Sequence, residues 1–146
     1  MLKKLFFKYD KKVNEETNIS YFTPTANIIL INENESFETS AMIDSGADIS
    51  VMSKDVAEIL RLKLGKETKL KAFGGEVKCK ETKINIILKG KKNQFQLFGV
   101  KALVVDSDEI DFILGREGIF NNFLITFDEN NKKVIFEKVN LKNYKF

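Results

Sequence analysis

The sequence predicts an all-β protein trimmed with one or two short helices, and three observations predict it. Apolar and polar residues alternate with period two through most of the chain, the pattern of strands with one buried face. Polar and glycine-rich clusters interrupt these stretches at intervals suited to turns. Only two stretches carry helix-like spacing and start signals. The 146 residues amount to about one domain, enough for a hydrophobic core without staples. We therefore expect a single domain over residues 1–146, with residues 1–18 as an N-terminal extension or edge strand.

Taken in order, residues 5–9 can add an edge strand. Residues 25–31 form a strongly apolar strand, residues 32–35 a polar turn, and residues 37–43 a returning strand. Ser53 is placed to cap a helix over residues 54–61, with Asp55 in its first turn and Val56, Ile59 and Leu60 on one face. Residues 83–89 alternate over their whole length, residues 89–93 make a turn, and Phe95, Leu97 and residues 100–105 continue the sheet. A second short helix is expected after Gly115, over residues 116–122. A hairpin closes the chain, with Phe123, Ile125 and Phe127 on one strand, residues 128–131 as the turn, and Val134 and Phe136 on the other. No internal repeat or low-complexity linker divides the chain.

Composition removes several function classes. Hydrophobic residues make up 43% and charged residues 31%, interspersed, so the chain reads as folded rather than disordered. The net charge of +3 comes from lysines dispersed along the chain, as at Lys3-Lys4, Lys11-Lys12, Lys91-Lys92 and Lys132-Lys133. A nucleic-acid binder concentrates such charge on one stripe, so no nucleic-acid partner is expected. There is no His, which excludes a His base or a His-ligated metal, and a lone Cys79 makes a zinc site or disulfide framework unavailable. No cofactor or metal is expected. The opening Met1-Leu2-Lys3-Lys4-Leu5-Phe6-Phe7 is too short for a signal-peptide core, and no run approaches a membrane span. A reducing, cytoplasmic setting is the expectation.

Three segments carry the chemistry. Ala41-Met42-Ile43-Asp44-Ser45-Gly46-Ala47-Asp48-Ile49-Ser50 places an ionisable group between two apolar strand ends. Asp, Ser and Gly also suit an ordinary turn. An interior carboxylate, however, is costly to bury without a partner. Phe112-Ile113-Leu114-Gly115-Arg116 and Lys71-Ala72-Phe73-Gly74-Gly75-Glu76-Val77 mean little alone, the first fitting any core strand that ends in a turn and the second a plain hairpin. Their order with the first segment is the informative feature.

In that order, the chain resembles the retropepsin-like (retroviral-type) aspartic proteases, microbial members included, from about residue 21 to residue 136. Asp44-Ser45-Gly46-Ala47-Asp48 resembles the family's active-site loop, Phe73-Gly74-Gly75 its flap tip, and Ile113-Leu114-Gly115-Arg116 the apolar-apolar-Gly-Arg element. The resemblance implies a half-barrel, one lobe per chain. It implies an aspartic endopeptidase that acts as a homodimer on an extended peptide or protein, with water activated between two copies of Asp44. Two carboxylates about 3 Å apart cannot both ionise, so the pair shares a proton and supplies acid and base together; aspartic proteases are the standard instance of this effect.

The same resemblance gives the neighbours their expected roles. Ser45 bonds across the axis, Gly46 admits substrate backbone, and Asp48 pairs bidentately with Arg116 to tie the loop to the second helix, with Gly115 in support. Phe73, Gly74 and Gly75 close over the peptide, and Ile113 walls a side-chain pocket. Ala47 cannot donate a hydrogen bond to an ionised carboxylate as Ser or Thr would, which favours action at mildly acidic to neutral pH. Two other readings compete: a catalytically slow or inactive dimeric peptide-binding module of the same fold, and a strand-rich protein that binds acidic partners through its lysines.

Overall fold

The apolar run of residues 25–31 becomes strand in the computed structural model, which describes residues 3–72, 74–108 and 110–139. β4 (Thr25–Asn32) buries Ala26, Ile28 and Leu30 on one face and pairs antiparallel with β5 (Glu35–Ile43). β6 (Ser50–Ser53) leads into α1 (Lys54–Ile59). β7 (Glu67–Ala72) and the long β8 (Gly75–Lys89) form a hairpin, and β9 (Gln94–Val105) returns along β8. β10 is only Ile113–Leu114.

These seven strands lie in the order β4-β5-β10-β6-β9-β8-β7, and a further pairing of β4 with β8 closes six of them on themselves. Closure removes the exposed edges that an open sheet would leave. Ile28, Leu30, Met52, Ile86, Leu88 and Leu114 fill the interior and are fully buried. β7 stays outside the ring, on the outer half of β8. The all-β expectation holds.

The N-terminal β1 (Lys4–Lys8) is an edge strand, paired with β12 (Lys133–Lys138), which also pairs with β11 (Phe123–Asp128). The inward residues of this sheet meet the ring through edge-to-face aromatic contacts: Phe7 on Phe136, Phe136 on Phe123 and Phe123 on Phe95, with centroids 5.4–5.5 Å apart. β2 (Asp10–Val13) and β3 (Ser20–Thr23) make a separate two-stranded hairpin.

The helical expectations need correction. α1 stops at Ile59 rather than at residue 61, because Arg61 takes a left-handed conformation (φ 51°). Leu62 N–H then donates to Ala57 O and Arg61 N–H to Glu58 O, a Schellman closure made without glycine. Asn32 Nδ2 donates to Leu60 O at 2.8 Å and fastens this end to β4. Ile59 is exposed and Ala57 takes the buried position instead. Ser53 stands at the N-cap, but its hydroxyl bonds Asp55 and caps no backbone N–H. The second helix reduces to turns and a 3-10 turn at Phe120–Asn122. Gly118 (φ 78°) interrupts it, and so short a segment has no length left over which a helix could propagate.

Candidate active site

Asp44 follows the last residue of β5, at the start of the loop that leads to β6. The sequence builds this loop on β10, whose two residues bridge both of its ends. Ile113 and Leu114 pair in parallel with Met42 and Ile43 before the loop, and Ile113 pairs antiparallel with Val51 after it. Asp44 N–H donates to Leu114 O at 3.0 Å, Arg116 N–H to Ala47 O at 2.9 Å, and Glu117 N–H to Asp48 O at 2.9 Å. The loop also closes on itself, since Ala47 N–H donates to Asp44 O and Gly46 N–H to Asp44 Oδ1 at 2.9 Å. This last bond fixes the orientation of the carboxylate, which is half-buried.

Gly115 lies beneath the loop. Its N–H donates to the buried Ser50 Oγ at 3.0 Å, and a Cβ there would stand 2.5 Å from the carbonyl carbon of Ile49. Close backbone approach, not a special φ, requires glycine at this position. Ser50 was not singled out in the sequence. The signal was available: a hydroxyl at an inward position between Ile49 and Val51 needs a buried partner.

Arg116 and Asp48 meet, through Nη2 and Oδ1. Both side chains are largely exposed, and the segment behind Arg116 is a turn rather than a helix. The expected bidentate bolt is thus an exposed contact, and the backbone bonds from Arg116 and Glu117 hold the two segments together. Ser45 is exposed.

Apolar surface flanks the loop. Val51, Leu103, Val105 and Cys79 form a small cluster on the face of the sheet opposite the main core, with Ile49, Leu70, Ile110 and Ile113 only partly buried against it. Strand alternation produces this second face: Met52 and Val104 point inward while Val51 and Leu103 point outward. Burial pushes the Cys79 thiol up, with Glu81 and Glu67 adding to the shift, so it stays an unreactive apolar filler.

The β7–β8 hairpin rises from this cluster. Its outer part is exposed, Ala72 pairs with Gly75, and Gly75 adopts φ 113° at the turn. Among the described residues no atom lies within 4 Å of a Cβ built on Gly74 or Gly75. Phe73 falls outside the described residues.

No ion pair among the described residues involves Asp44, and each of five surface clefts of about 230 to 510 Å³ is lined by other residues.

A ring of strands whose one motif carboxylate is oriented by a Gly N–H and backed by an Ile-Leu-Gly-Arg segment defines the class of acid proteases. The chain belongs to the aspartyl protease family, whose model matches residues 29–117, more than half of its length and including every segment of the site. It is an aspartic peptidase with the retropepsin-like all-β fold. A retropepsin-like aspartic protease from Rickettsia conorii superposes with a TM-score of 0.58 at 16% identity, over 94% of this chain and 93% of that one. The EIAV protease in complex with an inhibitor is similar over 72% of this chain and 88% of that chain, with 25% identity and a TM-score of 0.45. No curated protein sequence matches the chain. Among the described residues no helix is long and apolar enough to cross a membrane.

Proposed function

We propose that the chain is half of an aspartic endopeptidase, acting as a cytoplasmic homodimer on extended peptide segments. The observation that carries this reading is the single, half-exposed Asp44, oriented by its own loop and free of any ion pair with described residues of its own chain. Two such loops brought together on a two-fold axis supply the two carboxyl groups that hydrolysis requires.

In this dimer the ionised Asp44 takes a proton from water, whose oxygen attacks the scissile carbonyl carbon. The protonated Asp44 of the second copy gives its proton to the carbonyl oxygen, and a tetrahedral diol results. Collapse of the diol breaks the C–N bond as a proton passes to the leaving nitrogen, and the shared proton is restored. Gly46 leaves room for substrate backbone, and Ser45 faces the second loop. The β7–β8 hairpin acts as a flap that adds strand-like hydrogen bonds to the peptide. Ile113, with Ile49, Leu70 and Ile110, forms the apolar wall for side chains beside the scissile bond.

Asp44→Asn tests the reading, since it keeps the shape and removes the titratable proton. Peptide cleavage falls to background while sedimentation still reports a dimer. Cleavage by Asp44→Asn at the wild-type rate would show that the peptidase chemistry lies elsewhere.

A further inference from the structure

Lysines that are dispersed along the sequence are gathered by the fold. Two of the surface clefts, of about 480 and 230 Å³, adjoin through Phe6, Gly90 and Lys91. Lys4, Lys8, Lys89, Lys91, Lys92 and Lys133 line the pair, and Asp10 is the one carboxylate among the lining residues. These cations come from β1, from the end of β8 with the turn that follows it, and from β12. The expectation of no nucleic-acid partner rested on their separation in the chain, which the fold removes.

Local contacts build the groove. Lys8 and Lys133 stand opposite each other in the β1–β12 pairing, so both rise from one face of that sheet, and Lys4 and Phe6 share the face by strand alternation. Gly90 N–H donates to Asn93 O at 3.0 Å and Asn93 Nδ2 to Lys4 O at 3.2 Å, which fastens the turn carrying Lys91 and Lys92 against β1. The arrangement is unfavourable for the chain alone, since like charges directly opposite each other destabilise a strand pair. Lys89 pairs with Glu38 at 3.2 Å, but the other five lysines form no ion pair among the described residues. Glu137 and Asp128, opposite Lys4 and Lys133 in register, do not close on them. Lysine on an edge strand also guards against strand-to-strand aggregation. That role leaves out Lys133, on the central strand of its sheet, and Lys91 and Lys92, in a turn.

The residue types name the ligand. No arginine lines the clefts, so the bidentate fork that suits carboxylates is missing, whereas lysines serve phosphates as point charges. Phe6 is 53% exposed, while the other large apolar lining residues, Leu5, Phe7 and Tyr9, are buried. A membrane contact buries a broad apolar face. One open ring among cations instead suits a strand whose phosphates are tracked while a base stacks. Lys4 and Lys8 flank Phe6 two residues away on either side, about 7 Å along β1 in each direction. We infer that this groove binds single-stranded nucleic acid without sequence preference, its lysines on successive phosphates and a base against Phe6. The inference goes beyond the peptidase reading and stands apart from it, because the groove lies at the end of β8 remote from the Gly75 turn and shares no residue with the Asp44 loop.

The experiment measures fluorescence anisotropy of a labelled mixed-sequence DNA, single-stranded and duplex, over a series of salt concentrations. Five unpaired lysines give a slope of about −3.5 for the logarithm of the association constant against that of salt. Lys4→Gln/Lys8→Gln/Lys91→Gln brings the slope to about −1.4 and weakens binding at least tenfold at low salt. Lys63→Gln/Lys66→Gln/Lys83→Gln removes the same charge elsewhere and leaves binding within threefold of wild type. Phe6→Ala weakens the single strand about tenfold and spares the duplex. All seven positions are exposed, and circular dichroism checks each fold. Equal losses from the two triple variants would reduce the effect to net charge and overturn the groove. A duplex bound as tightly as the single strand, or a Phe6→Ala protein that binds like wild type, overturns the single-strand assignment. Binding to vesicles of anionic phospholipid without binding to DNA overturns it in favour of a membrane. Asp44→Asn binds DNA as wild type does, so loss of cleavage and loss of DNA binding report separately on the two readings.

Discussion

Replacing Gly115 by alanine tests whether the catalytic loop is held from beneath by backbone contact. The added Cβ would stand 2.5 Å from Ile49 C, 2.6 Å from Ile49 O and 2.8 Å from Ser50 N. Ordinary carbon contacts lie at about 3.5–4.0 Å, so the two segments must part by about 1 Å. The obstacles are backbone atoms at the entry to β6, which is paired to both β10 and β9 and has no free side chain to swing aside. Overpacking costs about 1–3 kcal/mol where side chains can adjust, and this site belongs at the upper end. Parting also stretches the bond from Gly115 N–H to Ser50 Oγ, and a buried donor left unpaired costs about 1–3 kcal/mol more. Together about 4 kcal/mol is expected, which for a domain of this size lowers Tm by about 10–15 °C. The measurement is thermal unfolding at one fixed protein concentration, because dimerisation makes Tm concentration-dependent. Ser50→Ala isolates the hydrogen-bond share and should show less than the full loss. Gly74→Ala, which meets open space, should stay within about 0.5 kcal/mol of wild type. A Gly115→Ala protein melting within about 3 °C of wild type would refute the reasoning, since the loop would then tolerate a contact that the geometry forbids.

Two further outcomes follow from the same contacts. Arg116→Ala should cost no more than about 1 kcal/mol in chemical denaturation, because the Asp48 contact is exposed and the backbone bonds to Ala47 and Asp48 survive; a loss above about 2 kcal/mol would return the locking role to the side chain. Hydrogen bonding to Asp111, outweighing desolvation, raises Lys12 above its ordinary value of 10.5. A raised cation contributes fully below the unfolded value and loses its contribution only as pH climbs through the higher folded one. Protection of the loop at residues 14–19 from proteolysis should therefore hold constant from about pH 6 to about pH 9, and Asp111→Asn should weaken it throughout that range. Protection that fades between these limits in wild type would assign the anchoring to another group.

The parts of the fold legible in the sequence are those written in short windows. Residues 25–31 are a strongly apolar run and residues 83–89 alternate cleanly, and both lie in strands, β4 and the second half of β8. The loop proposed to be catalytic could be singled out for the same reason, since its residues are contiguous and their types are uncommon together. Contacts between distant segments were not legible. The pairing of β4 with β8 that closes the ring joins Ile28 to Leu88, and nothing local to either residue states it. β10 is two residues long, too short for any period to register, yet it holds both ends of the loop. The β2–β3 hairpin was not legible within the N-terminal extension, where Asn14, Glu15, Glu16, Thr17 and Asn18 carry no strand period, although Asn14 organises them into a closed turn. The second helix failed at Gly118, where a single left-handed glycine outweighs the propensity of its neighbours.

The exposure of Asp44 bears on how such a protein stays stable as a single chain. A carboxylate buried without a partner destabilises the chain that carries it, but Asp44 is only half-buried and takes one hydrogen bond from Gly46. The folded monomer thus bears little of the cost of the catalytic group. In the proposed dimer the cost arises on association, when two carboxyl groups are brought to about 3 Å and one must keep its proton. Apolar contact elsewhere on the interface has to offset it. Removing the charge by Asp44→Asn should then tighten the dimer while it abolishes cleavage, and sedimentation equilibrium beside a peptide-cleavage assay checks both; a dimer weakened by the change would show that the carboxyl pair is not where association is costly.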